Sequence, residues 1–124
     1  MGLLDTDRVC AALGTRLGER FLQYATRAES GELGHLLIRI DEHVAAARGD
    51  DGLAGRIAVA CKQLLIRTGD LEPEAARAVM AAVRYFVDTY DLARDDAPRG
   101  YVDDVQVVNY VLSNVAPDLP PVTA

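Results

Sequence analysis

Apolar residues recur every three or four positions over most of the chain, the period of a helix that buries one stripe. Between Asp7 and Ala28 the stripe is Val9, Leu13, Leu17, Phe21, Tyr24 and Ala28. Asp5, Thr6 and Asp7 stand before it, and their short polar side chains suit a helix N-terminus. The spacing predicts one helix here, with Gly14 and Gly18 inside it, each costing up to about 1 kcal/mol relative to alanine. Glycines four residues apart would let another helix approach closely; the plainer expectation is that they face solvent. A second helix is expected from about Gly31 to Arg48, capped by Ser30, with Leu33, Leu36, Leu37, Ile40, Val44 and Ala47 on its apolar face. The run Gly49-Asp50-Asp51-Gly52 ends it and begins a third, to about Arg67, carrying Leu53, Ile57, Ala60 and Leu64.

Asp70-Leu71-Glu72-Pro73-Glu74 reads as a helix start, with proline in the first turn and acid beside it. The fourth helix, Glu74 to Tyr90, then shows Ala75, Val79, Ala82, Val83, Phe86 and Tyr90. The last segment, Asp104 to Val115, has helical spacing at Val105, Val108, Leu112 and Val115, although Val102 to Val108 is rich in β-branched residues. It is read as helix because nothing else in the chain offers a strand to pair with it. Short connections predict an all-α fold, a compact antiparallel bundle of about five helices forming a single domain over residues 1–116. Pro117, Pro120 and Pro121 break the pattern, and residues 117–124 are expected to be an extended or disordered tail.

Composition narrows the function classes. The 124 residues are half hydrophobic, enough for a core, and the net charge is −6. That balance argues against a nucleic-acid surface, which needs a basic stripe, and against docking on anionic membranes. No run approaches the ~20 apolar residues of a membrane span, and the opening MGLLDTDRV lacks the features of a signal peptide. Its formal match to a myristoylation pattern is read as chance. Cys10 and Cys61 sit among apolar neighbours in different segments, as small buried hydrophobes of a reduced compartment would. A cytoplasmic location is therefore expected.

The most distinctive stretch is Asp88 to Asp104, DTYDLARDDAPRGYVDD, which holds six aspartates between two expected helices. Asp88 and Asp91 sit at a helix C-terminus, the unfavourable end for negative charge. Arg84, Arg94 and Arg99 are near enough in sequence to offset them. Asp103 and Asp104 open a helix, where acids accept backbone N–H bonds. One reading is thus an aspartate-capped corner pinned by arginines. The other is a cation site: Asp91, Asp95, Asp103 and Asp104 would offer oxygen-only ligands suited to Mg²⁺, Mn²⁺ or Ca²⁺ rather than Zn²⁺. The spacing lacks the ligand alternation and closing glutamate of a calcium loop.

Ala81-Ala82-Val83-Arg84-Tyr85-Phe86-Val87-Asp88-Thr89-Tyr90-Asp91-Leu92 resembles the bacterial YkvA-like pattern, the domain of unknown function 1232. Asp95, Pro98 and Gly100 match that family's loop, Tyr101-Val102-Asp103-Asp104 its next helix start, and Leu64 to Asp70 its preceding helix end. Thr89 and Arg94 stand where the family carries prolines. The resemblance covers residues 64–112 and implies a helical fold without implying a common activity.

Other chemistry is sparse. Glu32 and His35 have the spacing of a di-iron bundle motif, but no second such motif accompanies them. His43 reads as a surface residue, and no serine or cysteine lies in a nucleophile motif. No catalytic residues and no cofactor are expected. The expected function is a non-enzymatic interaction or adaptor module. A face such as Leu33, Leu36, Leu37 and Ile40 could exceed the needs of one small core and meet a protein partner or a second copy. The alternative is a metal-binding protein or metal-dependent hydrolase using the aspartates.

Overall fold

The computed structural model describes residues 2–27, 33–46, 52–87 and 102–123. Among them the architecture is all-α: α1 (Thr6–Leu13), α2 (Thr15–Arg27), α3 (Leu33–Ala46), α4 (Leu53–Ile66), α5 (Pro73–Val87) and α6 (Val102–Val115), with a 3-10 turn at Thr68–Asp70 before α5. No described helix is long and apolar enough to cross a membrane.

The count is six rather than five because the first expected helix is two. Gly14 adopts φ 87° and ψ 158°, a conformation in which a residue with a Cβ is strained, and the chain turns sharply there. The second glycine is what lets α1 fold back. A Cβ at Gly18 would stand 3.1 Å from the Cys10 backbone Cα and 3.0 Å from its Sγ. The plainer expectation of solvent exposure holds for Gly14, whereas Gly18 makes the close approach, to the first half of the same segment. Asp5 caps α1 by accepting from the Arg8 N–H at 3.2 Å.

Helix α5 is the centre. It packs against α2, α3, α4 and α6. Every residue from Ala78 to Val83 is buried, as are Tyr85, Phe86 and Val87. A helix buried all round must be apolar all round, and small enough on several sides for neighbours to close in. Ala78, Ala81 and Ala82 meet the second requirement. Polar closure at helix ends runs both ways: Arg77 of α5 donates from Nε and Nη2 to the Ala25 carbonyl in the last turn of α2, at 3.3 and 3.1 Å. Arg39 donates to the Val87 carbonyl that ends α5, at 3.3 Å. These carbonyls have no partner within their own helices.

Both ends of the described chain are fastened to this body. Leu3 is buried, its N–H and that of Leu4 donate to the Glu74 carboxylate at 3.0 and 3.3 Å, and Tyr110 Oη donates to the Leu3 carbonyl at 2.6 Å. The proline-rich stretch after α6 is non-helical, and it lies against α4 and α6 with Val122 buried.

Candidate functional site

Of the four aspartates expected to face a cation, Asp91 and Asp95 lie outside the described residues, as do Asp88, Arg94 and Arg99. Asp103 and Asp104 are both in the first turn of α6, where the helix dipole favours negative charge. Consecutive helical residues point about 100° apart, and these two enter different surroundings. Asp103 is half-buried and lines an open cleft of about 410 Å³ with Gly14, Thr15, Arg16, Leu17 and Gln106. Asp104 is completely buried. Among the described residues, no group of three or more His, Cys, Asp or Glu side chains is placed to hold a metal ion.

Among the described residues, Cys61 of α4 is one that feels the charge of Asp104. Burial pushes the Cys61 thiol far above its ordinary range, and the negative charge of Asp104 pushes it further in the same direction. Both influences favour the protonated thiol over the thiolate. Both cysteines are free, and Cys10 is half-buried at the α1–α2 contact. His43, expected on the surface, is instead half-buried, with its ring edge-on to Phe86 at 4.7 Å between centroids. His35 is exposed, and its spacing partner Glu32 lies outside the described residues.

The apolar face of α3 is also placed differently from the expectation of a surplus. Leu36 and Ile40 are wholly buried in the core and Leu37 and Val44 half-buried, so this stripe belongs to the fold. The exposed large hydrophobics lie elsewhere: Ile38 on α3, and Val59 and Ile66 on α4, at 61, 57 and 77% exposure. One contact ties them together. Lys62 Nζ lies 2.5 Å from Asp41 Oδ1, joining the two helices across their solvent side. Packed helices joined by a short connection run antiparallel. Ile38 is then one turn from Asp41 on the level of Ile66, while Val59 and Ile66 stand one turn to either side of Lys62. Ile38 on α3 and Val59 and Ile66 on α4 thus each lie within a turn of the pair that joins the two helices.

These residues escaped sequence reasoning because attention went to the residues on each stripe. The signal was present in the residues off it: Ile38, Val59 and Ile66 interrupt what should be the polar side of their helices. Asn109 of α6 was missed as well. It forms two hydrogen bonds with Val122, donating from Nδ2 to the carbonyl at 3.0 Å and accepting the N–H at Oδ1 at 2.8 Å. Nothing local in the sequence marks it.

No protein-family model, curated protein or solved structure matches this chain.

Proposed function

We propose that the protein is a non-enzymatic helical interaction module that works through the outer face of α3 and α4. The observation that carries this reading is the set Ile38, Val59 and Ile66 around the Lys62–Asp41 pair. Apolar side chains held on rigid helices can be desolvated at little entropic cost, and a flanking charge pair gives orientation more than affinity. The face is also self-complementary. A two-fold axis between Lys62 and Asp41 would set each Lys62 against the other copy's Asp41 and bring the isoleucines together, the isologous arrangement commonest in soluble oligomers. A second copy is accordingly the partner proposed.

Sedimentation equilibrium from 10 to 500 µM tests this. The expected outcome is reversible dimerisation that Ile66→Asp abolishes without loss of helical circular dichroism. A monomer at 500 µM overturns it. The competing account, a cation held by Asp91, Asp95, Asp103 and Asp104, predicts something else. A metal bound only to the native state at a hundred times its Kd adds about 2.7 kcal/mol to stability. Thermal unfolding in EDTA and then in Mg²⁺, Mn²⁺ or Ca²⁺ would show that shift, and Asp104→Asn would remove it. The resemblance of residues 64–112 to the YkvA-like family would place the module among small helical proteins without adding a reaction.

A further inference from the structure

The stretch after α6 is held in an unusual way. Three side chains from two helices take hold of it at separate points. Arg67, just past α4, forms a two-pronged pair with Asp118, Nη1 to Oδ1 at 2.8 Å and Nη2 to Oδ2 at 2.7 Å. Arg56, in the first turn of α4, donates from Nε to the Thr123 carbonyl at 3.2 Å. Between them Asn109 of α6 takes both main-chain groups of Val122. The registers agree. From Arg56 to Arg67 an α-helix rises about 16 Å, and the segment spans the two arginines, leaving the turn at Asp118 and Leu119 to reach Thr123 without helix. The segment therefore runs antiparallel to α4 and back along α6, filling the groove between them.

Each contact has a distinct role in recognition. A side-chain amide that pairs with the N–H and the carbonyl of one residue reads extended backbone whatever the side chain, as a neighbouring strand would. The buried position of Val122 selects a small apolar side chain there, and the fork of Arg67 selects a carboxylate four residues earlier. Leu119 packs partly against the core. Pro120 and Pro121 fix φ near −65° and hold the residues before them extended, so the segment loses little entropy on docking.

We propose that the groove between α4 and α6 is a recognition site for an extended, proline-containing peptide with a carboxylate and, four residues later, a small apolar side chain. Residues 118–123 occupy it in cis, and a partner protein's segment of the same chemistry occupies it when they are displaced. This goes beyond the α3–α4 face, which lies on another side of α4, and either can hold without the other.

The test uses the full chain and a fluorescein-labelled peptide of sequence PDLPPVT. A double variant, Asp118→Arg with Val122→Asp, cannot dock its own segment. The expected result is saturable binding of the peptide to this variant, at least tenfold weaker binding to the wild type, and at least a tenfold loss when Asn109→Ala is added to the double variant. The wild-type weakening follows from the cis segment, whose effective concentration is of the order of millimolar. Absence of binding to the folded double variant, or binding that Asn109→Ala leaves unchanged, overturns the proposal. If the double variant loses its helical signal, hydrogen exchange at the Val122 amide of the wild type decides instead. Exchange at that amide should quicken in millimolar unlabelled peptide, and an unchanged rate overturns the proposal equally.

Discussion

Helix α4 has two flanks that face away from α5, and they are finished differently. On one, residues 118–123 lie across the helix, Val122 is buried, and Arg56 and Arg67 clasp the segment from both ends. On the other, Val59 and Ile66 stand in solvent, each within a turn of Lys62, which pairs with Asp41 of α3. The same fourteen-residue helix is thus covered by its own chain on one flank and exposed on the other. What differs among the described residues is the polar side chains that meet each flank: Asn109 and the arginines hold a non-helical backbone on the first, and Lys62 pairs with Asp41 on the second. That contrast is the physical basis for reading one flank as an occupied groove and the other as an open interface.

Substitutions along α4 and its surroundings should rank in a definite order. The largest effect is expected from Ile57→Ala, on the side facing the core, where Ile57 is wholly buried. Cavity formation there should cost 2–5 kcal/mol in urea unfolding; a loss under 1 kcal/mol would mean that α4 is not part of the cooperative core. Asn109→Ala comes next. It removes both hydrogen bonds to Val122 and should cost about 1–2 kcal/mol, with faster proteolysis after Ala116. If its stability equals the wild type, the segment is resting on the surface rather than held.

A smaller effect belongs to pH. The Arg67 guanidinium, hydrogen-bonded to Asp118, holds its carboxyl below the usual carboxylate range. The pair's contribution is therefore full above the unfolded carboxylate range near pH 4 and is lost as the pH falls through the depressed native value. Both groups are exposed, so the effect is modest. Comparing wild type with Arg67→Ala between pH 7 and pH 2.5 should show the two stabilities converging at the acid end; a constant difference would remove Asp118 as the titrating group. The smallest change is expected from Ile66→Ser, within about 0.5 kcal/mol of wild type, since the residue is exposed in the single chain. A marked loss at low protein concentration would show that this flank is covered after all.

Much of the fold was legible in the sequence. The stripes Val9, Leu17, Phe21 and Tyr24, Leu36 and Ile40, Ile57, Ala60 and Leu64, and Val79, Val83 and Phe86 are all buried, and the helices they predicted begin and end within a few residues of those found. The β-branched run from Val102 is helical, because Asp103 and Asp104 in its first turn and burial of Val107, Val108 and Val111 outweigh a weak local preference for strand. Gly14 was visible as a weakness but not as a break. A glycine inside a helical stripe is a tolerable cost or a hinge depending on whether the halves gain by packing on each other, and that gain depends on Cys10 meeting Gly18, eight residues away.

The candidate sites divide in the same way. The acidic stretch was plain in the sequence, yet the divergence of Asp103 toward a surface cleft and Asp104 toward Cys61 depends on where α6 lies relative to α2 and α4. The sequence by itself determined which residues are helical and which stripe each helix buries, because period and capping act over neighbours within two turns. The tertiary structure decided that α5 is buried from Ala78 to Val83, which flank of α4 is clothed, and that Asn109 meets Val122. Those outcomes rest on contacts between residues far apart in the chain or on separate elements, where no local period exists to be read.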